Sequence, residues 1–456
     1  MVHIEIQNAK AITLPAWHPG GWRSRPVLQQ PEYEDPARLE QCVDVLREKP
    51  PLVARGEVDR LRSILAEAVR GKRFVLHGGD CAERFTDCTS AALTAKLQVL
   101  LQMSLVLTYA TRKPVIRIGR LAGQYAKPRS EPYERIGQAQ LPVYRGDLVN
   151  SHEANPEARR ADPGRIIEGY HHAAASLNFI RALIEGGFAD LHHPEQWNLD
   201  FVKNGAYNQS YRRVVDAITD AIAFMETVGV SDSAEHLKRI EFYTSHEALL
   251  LPYEEGLTRG FGERDFYNLG AHFLWLGYRT SIPDGAHVEY LRGIRNPVGI
   301  KVGPRTKLDN LLEILERLDP EREPGQVTLI TRFGAAQVDA GLPLLLHAVA
   351  ESGHPVLWSC DPMHGNLEYT REGRKTRRLG SIFSELEQTF AIHNRLGSCL
   401  GGVHFELTGE AVTECVGGSS GLTESDLSQC YETACDPRLN GAQALEMAFL
   451  IADLLR

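Results

Sequence analysis

Short apolar runs separated by amphipathic stretches organise the chain from residue 73 onward. The run Arg73-Phe74-Val75-Leu76 leads into His77 and a Gly78-Gly79 pair, the pattern of a buried strand broken by glycine. Residues 91–110 then carry Leu and Val at three- and four-residue spacing, which predicts a helix with an apolar face. After Pro114, Val115-Ile116-Arg117-Ile118-Gly119 predicts a second strand. Strand, helix, strand is the unit of a parallel sheet. Six more strands are predicted at 239–244, 273–277, 298–302, 327–332, 355–360 and 402–407, with connections long enough for helices, clearest at 307–318 and 380–396. Eight strands with helical crossovers predict an α/β fold of the (β/α)8 TIM barrel type, occupying residues 71–456.

Two stretches fall outside that rhythm. Residues 1–70 read as an N-terminal extension, irregular around Trp22 and then helical at 36–48 and 57–70. The interval between the second and third strands is too long for one crossover and carries helical spacing at 166–186 and 208–228. No Gly/Ser/Pro-rich linker flanks it, so it reads as an insertion between strands 2 and 3, not a separate domain.

Composition narrows the class. The 456 residues are 43% hydrophobic and 24% charged, with a formal net charge of -9. That acidity argues against nucleic-acid partners and anionic membrane surfaces. No apolar run is expected to reach the ~18–20 residues of a membrane span, and the N-terminus lacks a basic region followed by a long apolar core, so a cytoplasmic location is expected. The eight cysteines include no CxxC pair; free thiols are the default, with one or two as ligands.

In a barrel of this kind, chemistry belongs at the C-terminal ends of the strands. Those ends, together with the long segment after the last strand that holds Asp436, carry two sets. Cys81, His364, Glu406 and Asp436 mix thiolate, imidazole and carboxylate, which suits a divalent ion of the Mn, Fe, Co or Zn range acting as a Lewis acid. The plainer reading of each stands beside it: a structural His364, a helix-capping Asp436, a solvated Glu406. Arg120, Lys127, Arg129, Arg279, Lys301 and Arg332 form the second set, and cations gathered at one mouth call for an anionic occupant. Here the plainer reading is that each pairs with one of the 59 acidic residues. A metal beside a phosphate-binding wall points to condensation chemistry on phosphorylated sugars or enol phosphates.

Longer motifs then carry a resemblance. Gly78-Gly79-Asp80-Cys81-Ala82-Glu83, Ala122-Gly123-Gln124-Tyr125-Ala126-Lys127-Pro128-Arg129-Ser130, Cys360-Asp361-Pro362-Met363-His364-Gly365-Asn366, Lys375-Thr376-Arg377 and Glu432-Thr433-Ala434-Cys435-Asp436-Pro437-Arg438 resemble the type II 3-deoxy-D-arabino-heptulosonate 7-phosphate (DAHP) synthases from about residue 22 to the end. The resemblance implies a transferase that condenses phosphoenolpyruvate with erythrose 4-phosphate at the first step of the shikimate route. It implies Cys81, His364, Glu406 and Asp436 as metal ligands, with Mn or Co as the ion. It places Arg120, Arg279, Lys301 and Arg332 around phosphoenolpyruvate and Lys127, Arg129 and Ser130 on the aldose phosphate side. Glu247 becomes an active-site position, and Lys301, Arg120 and Glu247 the expected catalytic residues. Segment 187–232 resembles the inserted helical pair that longer members use for control by aromatic amino acids. A homo-oligomer is expected, and a chorismate mutase is a candidate partner.

Two positions depart from the family pattern. Tyr278 stands where Gly-Glu-Arg-Thr is usual, giving Gly277-Tyr278-Arg279-Thr280, and His77 stands where glutamine is usual. They keep open a paralogue acting on a different or amino-substituted aldose phosphate, and a catalytically silent regulatory barrel. Cys435, next to Asp436, is expected to form a disulfide with Cys81 in metal-free protein.

Overall fold

In a computed structural model, which describes residues 16–186, 188, 209–210, 212–217, 220, 240–263 and 265–455, eight parallel strands close into a barrel. They are β1 (Phe74–Gly79), β2 (Val115–Arg120), β3 (Phe242–Glu247), β4 (Phe273–Leu276), β5 (Val298–Val302), β6 (Val327–Thr331), β7 (Leu357–Cys360) and β8 (Leu400–Glu406). Each pairs with its chain neighbours, and β1 closes the ring on β8. Register matters here: Gly79 lies opposite both Arg120 of β2 and Glu406 of β8, so three strand ends reach the C-terminal rim together. Gly79 has φ +146, and a Cβ there would sit 2.7 Å from the Arg120 carbonyl oxygen. Glycine is needed for that close approach.

Among the described residues, the helices that frame the barrel are α1 (Pro36–Glu48), α2 (Arg55–Val69), α3 (Ser90–Thr111), α4 (Arg165–Glu185), α5 (Leu251–Leu257), α6 (Ala286–Leu291), α7 (Leu308–Leu318), α8 (Val338–Ser352), α9 (Leu379–Arg395) and α10 (Gly441–Leu454). The N-terminal stretch belongs to the packing of the barrel. Leu61, Ile64, Leu65 and Ala68 of α2 share one buried cluster with Val75, Ile116, Phe273, Ile330 and Leu357. Several of these lie at or near the starts of their strands, so α2 plugs the barrel floor. α1 starts at Asp35, whose side chain accepts the Arg38 N–H, and packs on α5 and α4.

Several expectations are corrected. The third strand runs over Phe242–Glu247, three residues beyond the predicted start, because its polar half Thr244-Ser245-His246 is buried. Three small hairpins were not predicted: Tyr133–Ile136 with Ala139–Pro142, Thr258–Gly260 with Phe266–Asn268, and Glu368–Tyr369 with Lys375–Thr376. Contrary to the expectation that no run reaches a membrane span, α3 is long and apolar enough by length and composition, and 67% of its span window is buried inside the protein. Packing against α10, β1 and β2 accounts for that apolarity. Most of segment 187–232, and of the predicted helix 208–228, lies outside the described residues.

Candidate active site

The rim loops are tied together before any reactive group is placed. After β1, the Glu83 carboxylate accepts the backbone N–H groups of Ala122, Gly123 and Gln124 at 3.0, 3.0 and 2.9 Å. Its own N–H donates to the Gln124 carbonyl at 2.8 Å. The loop after β2 is thereby fixed through Ala122, which has φ +60, and it delivers Lys127, Arg129 and Ser130. Asp80 pairs with Lys96 and, at 2.8 Å, with Arg438, and Arg438 pairs with Glu414 at 2.8 Å. Those contacts fasten the C-terminal segment that carries Asp436.

Three of the four expected ligands converge. The donor atoms of Cys81, Glu406 and Asp436 all lie within 4.8 Å of one another. His364 stands just outside that group, its Nε2 3.0 Å from Glu406 Oε1 and its Nδ1 2.7 Å from Asp361. The Lys127 ammonium sits among the three, 2.7 Å from Cys81 Sγ and 3.2 Å from Glu406 and from Asp436. Burial opposes ionisation of Glu406, but His364, Lys127 and Arg377 overcome it and hold the carboxyl well below its usual range. Asp436 is likewise held down, Lys127 acting against burial. Burial pushes the Cys81 thiol well up, with Cys435 and Glu406 adding and Lys127 opposing. Thiol, imidazole and two carboxylates that already gather a cation fit a divalent ion.

Beside this cluster lies a cavity of about 210 Å³ lined by Arg120, Lys127, Arg279, Lys301 and Arg332, together with Glu247, Trp275, Tyr278, His364 and Asp436. Arg120 Nε is buried with no partner among the described residues, and Ser130 accepts from Arg279 at 2.8 Å. Lys301 pairs with Asp361, the carboxylate that also holds His364, so one aspartate joins the two sets. Burial lowers Lys301 to about 8, Asp361 opposing and the Arg120 charge adding to the shift. Glu247 is pushed up by burial against the pull of Lys127 and Arg120. A Cβ on Gly277 would lie 2.0 Å from its Oε1, so glycine makes room for that carboxylate. Arg129 takes a different place from the other cations: its guanidinium meets Glu134 at 3.2 Å and Cys435 Sγ at 3.6 Å.

Asp361, Lys375 and Arg377 were quoted within motifs but given no role from sequence. Arg377 donates to Glu406 at 2.7 Å and Lys375 to Asp436 at 2.9 Å. The spacing of Asp361 three residues before His364 was the available signal for a carboxylate that orients a ligand imidazole. Tyr278 stands in the cavity wall, its hydroxyl accepting the Arg305 N–H at 2.7 Å and its ring between the Arg305 and Arg332 guanidinium groups at 5.8 and 5.3 Å.

Fold and site together define a (β/α)8 barrel enzyme with a cation-lined anion pocket against a donor cluster competent for a metal. The family model described as the Class-II DAHP synthetase family matches residues 17–452. Among similar proteins, a phospho-2-dehydro-3-deoxyheptonate aldolase of Neurospora crassa is 49% identical, over 97% of this chain and 95% of its own length. One from Streptomyces coelicolor is 47% identical over 95% and 96%, and one from Mycolicibacterium smegmatis, with AroG in its name, is 43% identical over 95% and 93%. The chain belongs to the class-II DAHP synthetase family, and is a transferase of the DAHP synthase type.

Proposed function

We propose that this chain condenses phosphoenolpyruvate with erythrose 4-phosphate to give DAHP and inorganic phosphate, and that it requires a divalent ion, manganese or cobalt. The cavity carries the reading. Seven basic side chains, Arg120, Lys127, Arg279, Lys301, Arg332, Lys375 and Arg377, line about 210 Å³ in a chain of net charge -9, more than the carboxylates of Glu247, Asp361, Glu406 and Asp436 around them offset, and that excess favours an anionic occupant. Arg120, Arg279, Lys301 and Arg332 hold the phosphate and carboxylate of phosphoenolpyruvate. Lys127 and Ser130 face the aldose phosphate, Arg129 stands behind them against Glu134 and Cys435, and the Arg279–Ser130 hydrogen bond couples the two halves. Cys81, His364, Glu406 and Asp436 would hold the metal, which when bound supplies Lewis acidity toward the aldehyde oxygen.

The rest of the chemistry falls to positioning and proton control. C3 of the enol phosphate bonds to the aldehyde carbon, water adds at C2, and phosphate departs as its C2–O bond breaks. Arginines and lysines fixed at strand ends bring the two anions together, which is most of what such a condensation demands. Glu247, raised by burial, is the carboxyl suited to hold or pass a proton beside the reacting carbons.

One observation favours a second reading. Tyr278 gives the wall a neutral hydroxyl where the family pattern has a carboxylate, which suits a paralogue using another or an amino-substituted aldose phosphate. Phosphoenolpyruvate consumption with a panel of aldose phosphates, for the wild type and Tyr278→Glu, separates the two. Wild-type preference for erythrose 4-phosphate supports the first reading; preference for another aldose that Tyr278→Glu reverses supports the second. A catalytically silent barrel fits poorly, because it would need none of the buried donors. Homo-oligomerisation is part of the proposal, with Val27 and Leu28, each 41% exposed, offering apolar surface on the N-terminal segment. A chorismate mutase partner rests on the likeness to the family alone.

A further inference from the structure

Arg120 is held from behind by hydrogen bonds that cross the inside of the barrel. Its NH1 lies 2.9 Å from His404 Nε2. A guanidinium only donates, so that nitrogen bears no proton and neutral His404 carries its proton on Nδ1. Nδ1 in turn lies 3.0 Å from His77 Nδ1, which must therefore accept. His77 then keeps its own proton on Nε2, 2.7 Å from Ser245 Oγ, and the Ser245 hydroxyl donates to the Gly119 carbonyl at 3.0 Å. Every link has one donor and one acceptor, and both ends set the same direction: Arg120 only donates, and the Gly119 carbonyl only accepts, which leaves His77 Nδ1 as an acceptor toward His404.

The frame around this chain is rigid. His77, Arg120, Ser245 and His404 come from four adjacent strands, β1, β2, β3 and β8. His77 and His404 are 2% and 0% exposed, and Trp275 meets both rings edge-on, with centroids 5.6 and 5.7 Å away. We infer that His77 is a positioning residue for Arg120: by accepting the Nδ1 proton of His404 it fixes the tautomer that leaves His404 Nε2 free to hold the guanidinium toward the anion pocket.

The inference rests on the reading of that pocket as the phosphoenolpyruvate site, and two measurements keep their failures apart. In steady-state kinetics, His77→Leu removes the acceptor while filling similar volume, and His77→Gln restores an amide that can both accept and donate. The expected result is a KM for phosphoenolpyruvate raised about tenfold in His77→Leu, with the KM for erythrose 4-phosphate within twofold of wild type and His77→Gln close to normal. A lower Tm in His77→Leu with both KM values unchanged would reduce His77 to a packing residue and overturn the inference. Neutron diffraction from deuterated wild-type crystals reads the tautomers without any turnover. Deuterons on His404 Nδ1 and His77 Nε2 uphold the relay; a deuteron on His404 Nε2 overturns it. A wild type that ignores phosphoenolpyruvate would remove the function proposed for the pocket, and the neutron result would then decide the relay alone.

Discussion

Lys301 carries a charge in the anion pocket that moderately alkaline pH removes. Its ammonium is lowered from 10.5 to about 8 by burial. In the free enzyme, kcat/KM for phosphoenolpyruvate should therefore fall about tenfold per pH unit above that value, and Lys301→Arg should flatten the fall because guanidinium stays charged. Stability moves the other way. Between pH 8 and 10.5 the unfolded chain keeps a proton that the folded chain has released, so the Lys301 contribution to unfolding free energy rises with pH in that window. Cys81 and Cys435 are both free thiols packed in one small cluster with Ala82 and Tyr144. Chelator-stripped protein in air should yield a Cys81–Cys435 cross-linked peptide in non-reducing mapping, and added Mn should suppress it. Residue types at strand ends were readable in the sequence because the barrel dictates where function sits. What they touch was not. Lys127, assigned from sequence to a phosphate, also bridges three expected ligands, and Arg377 meets a carboxylate 29 residues away, a pairing no local spacing reveals.

At the scale of elements, α2 and the Glu83 clamp do different work. Leu65, fully buried in the floor cluster, should cost about 2–5 kcal/mol on mutation to Ala, seen as a lower Tm with KM values unchanged, since the floor lies at the opposite end of the barrel from the site. Glu83→Ala strips three backbone N–H groups of their acceptor and frees the loop that presents Lys127 and Ser130. A loss of about 100-fold in kcat/KM is expected for a penalty of about 3 kcal/mol in site order. The eight strands were legible because strands buried on both faces read as apolar runs. β3 was misplaced by its buried polar half, and the three hairpins escaped because strands of two to four residues are too short to leave an apolar run.

For the whole molecule, the fold class followed from strand count and crossover length. The site followed from the rule that a barrel concentrates side chains at one mouth. Distances among chain-distant groups decided the rest: a donor cluster within 4.8 Å against a cavity of about 210 Å³, joined through His364, Asp361 and Lys301. The central claim is that this mouth is a metal-dependent site for joining phosphoenolpyruvate to an aldose phosphate. The most direct test follows phosphoenolpyruvate absorbance with erythrose 4-phosphate on chelator-stripped protein, with and without added Mn. Consumption that appears only with Mn and disappears in Cys81→Ser is the predicted result; equal consumption without any divalent ion, or none with either Mn or Co, would contradict the account.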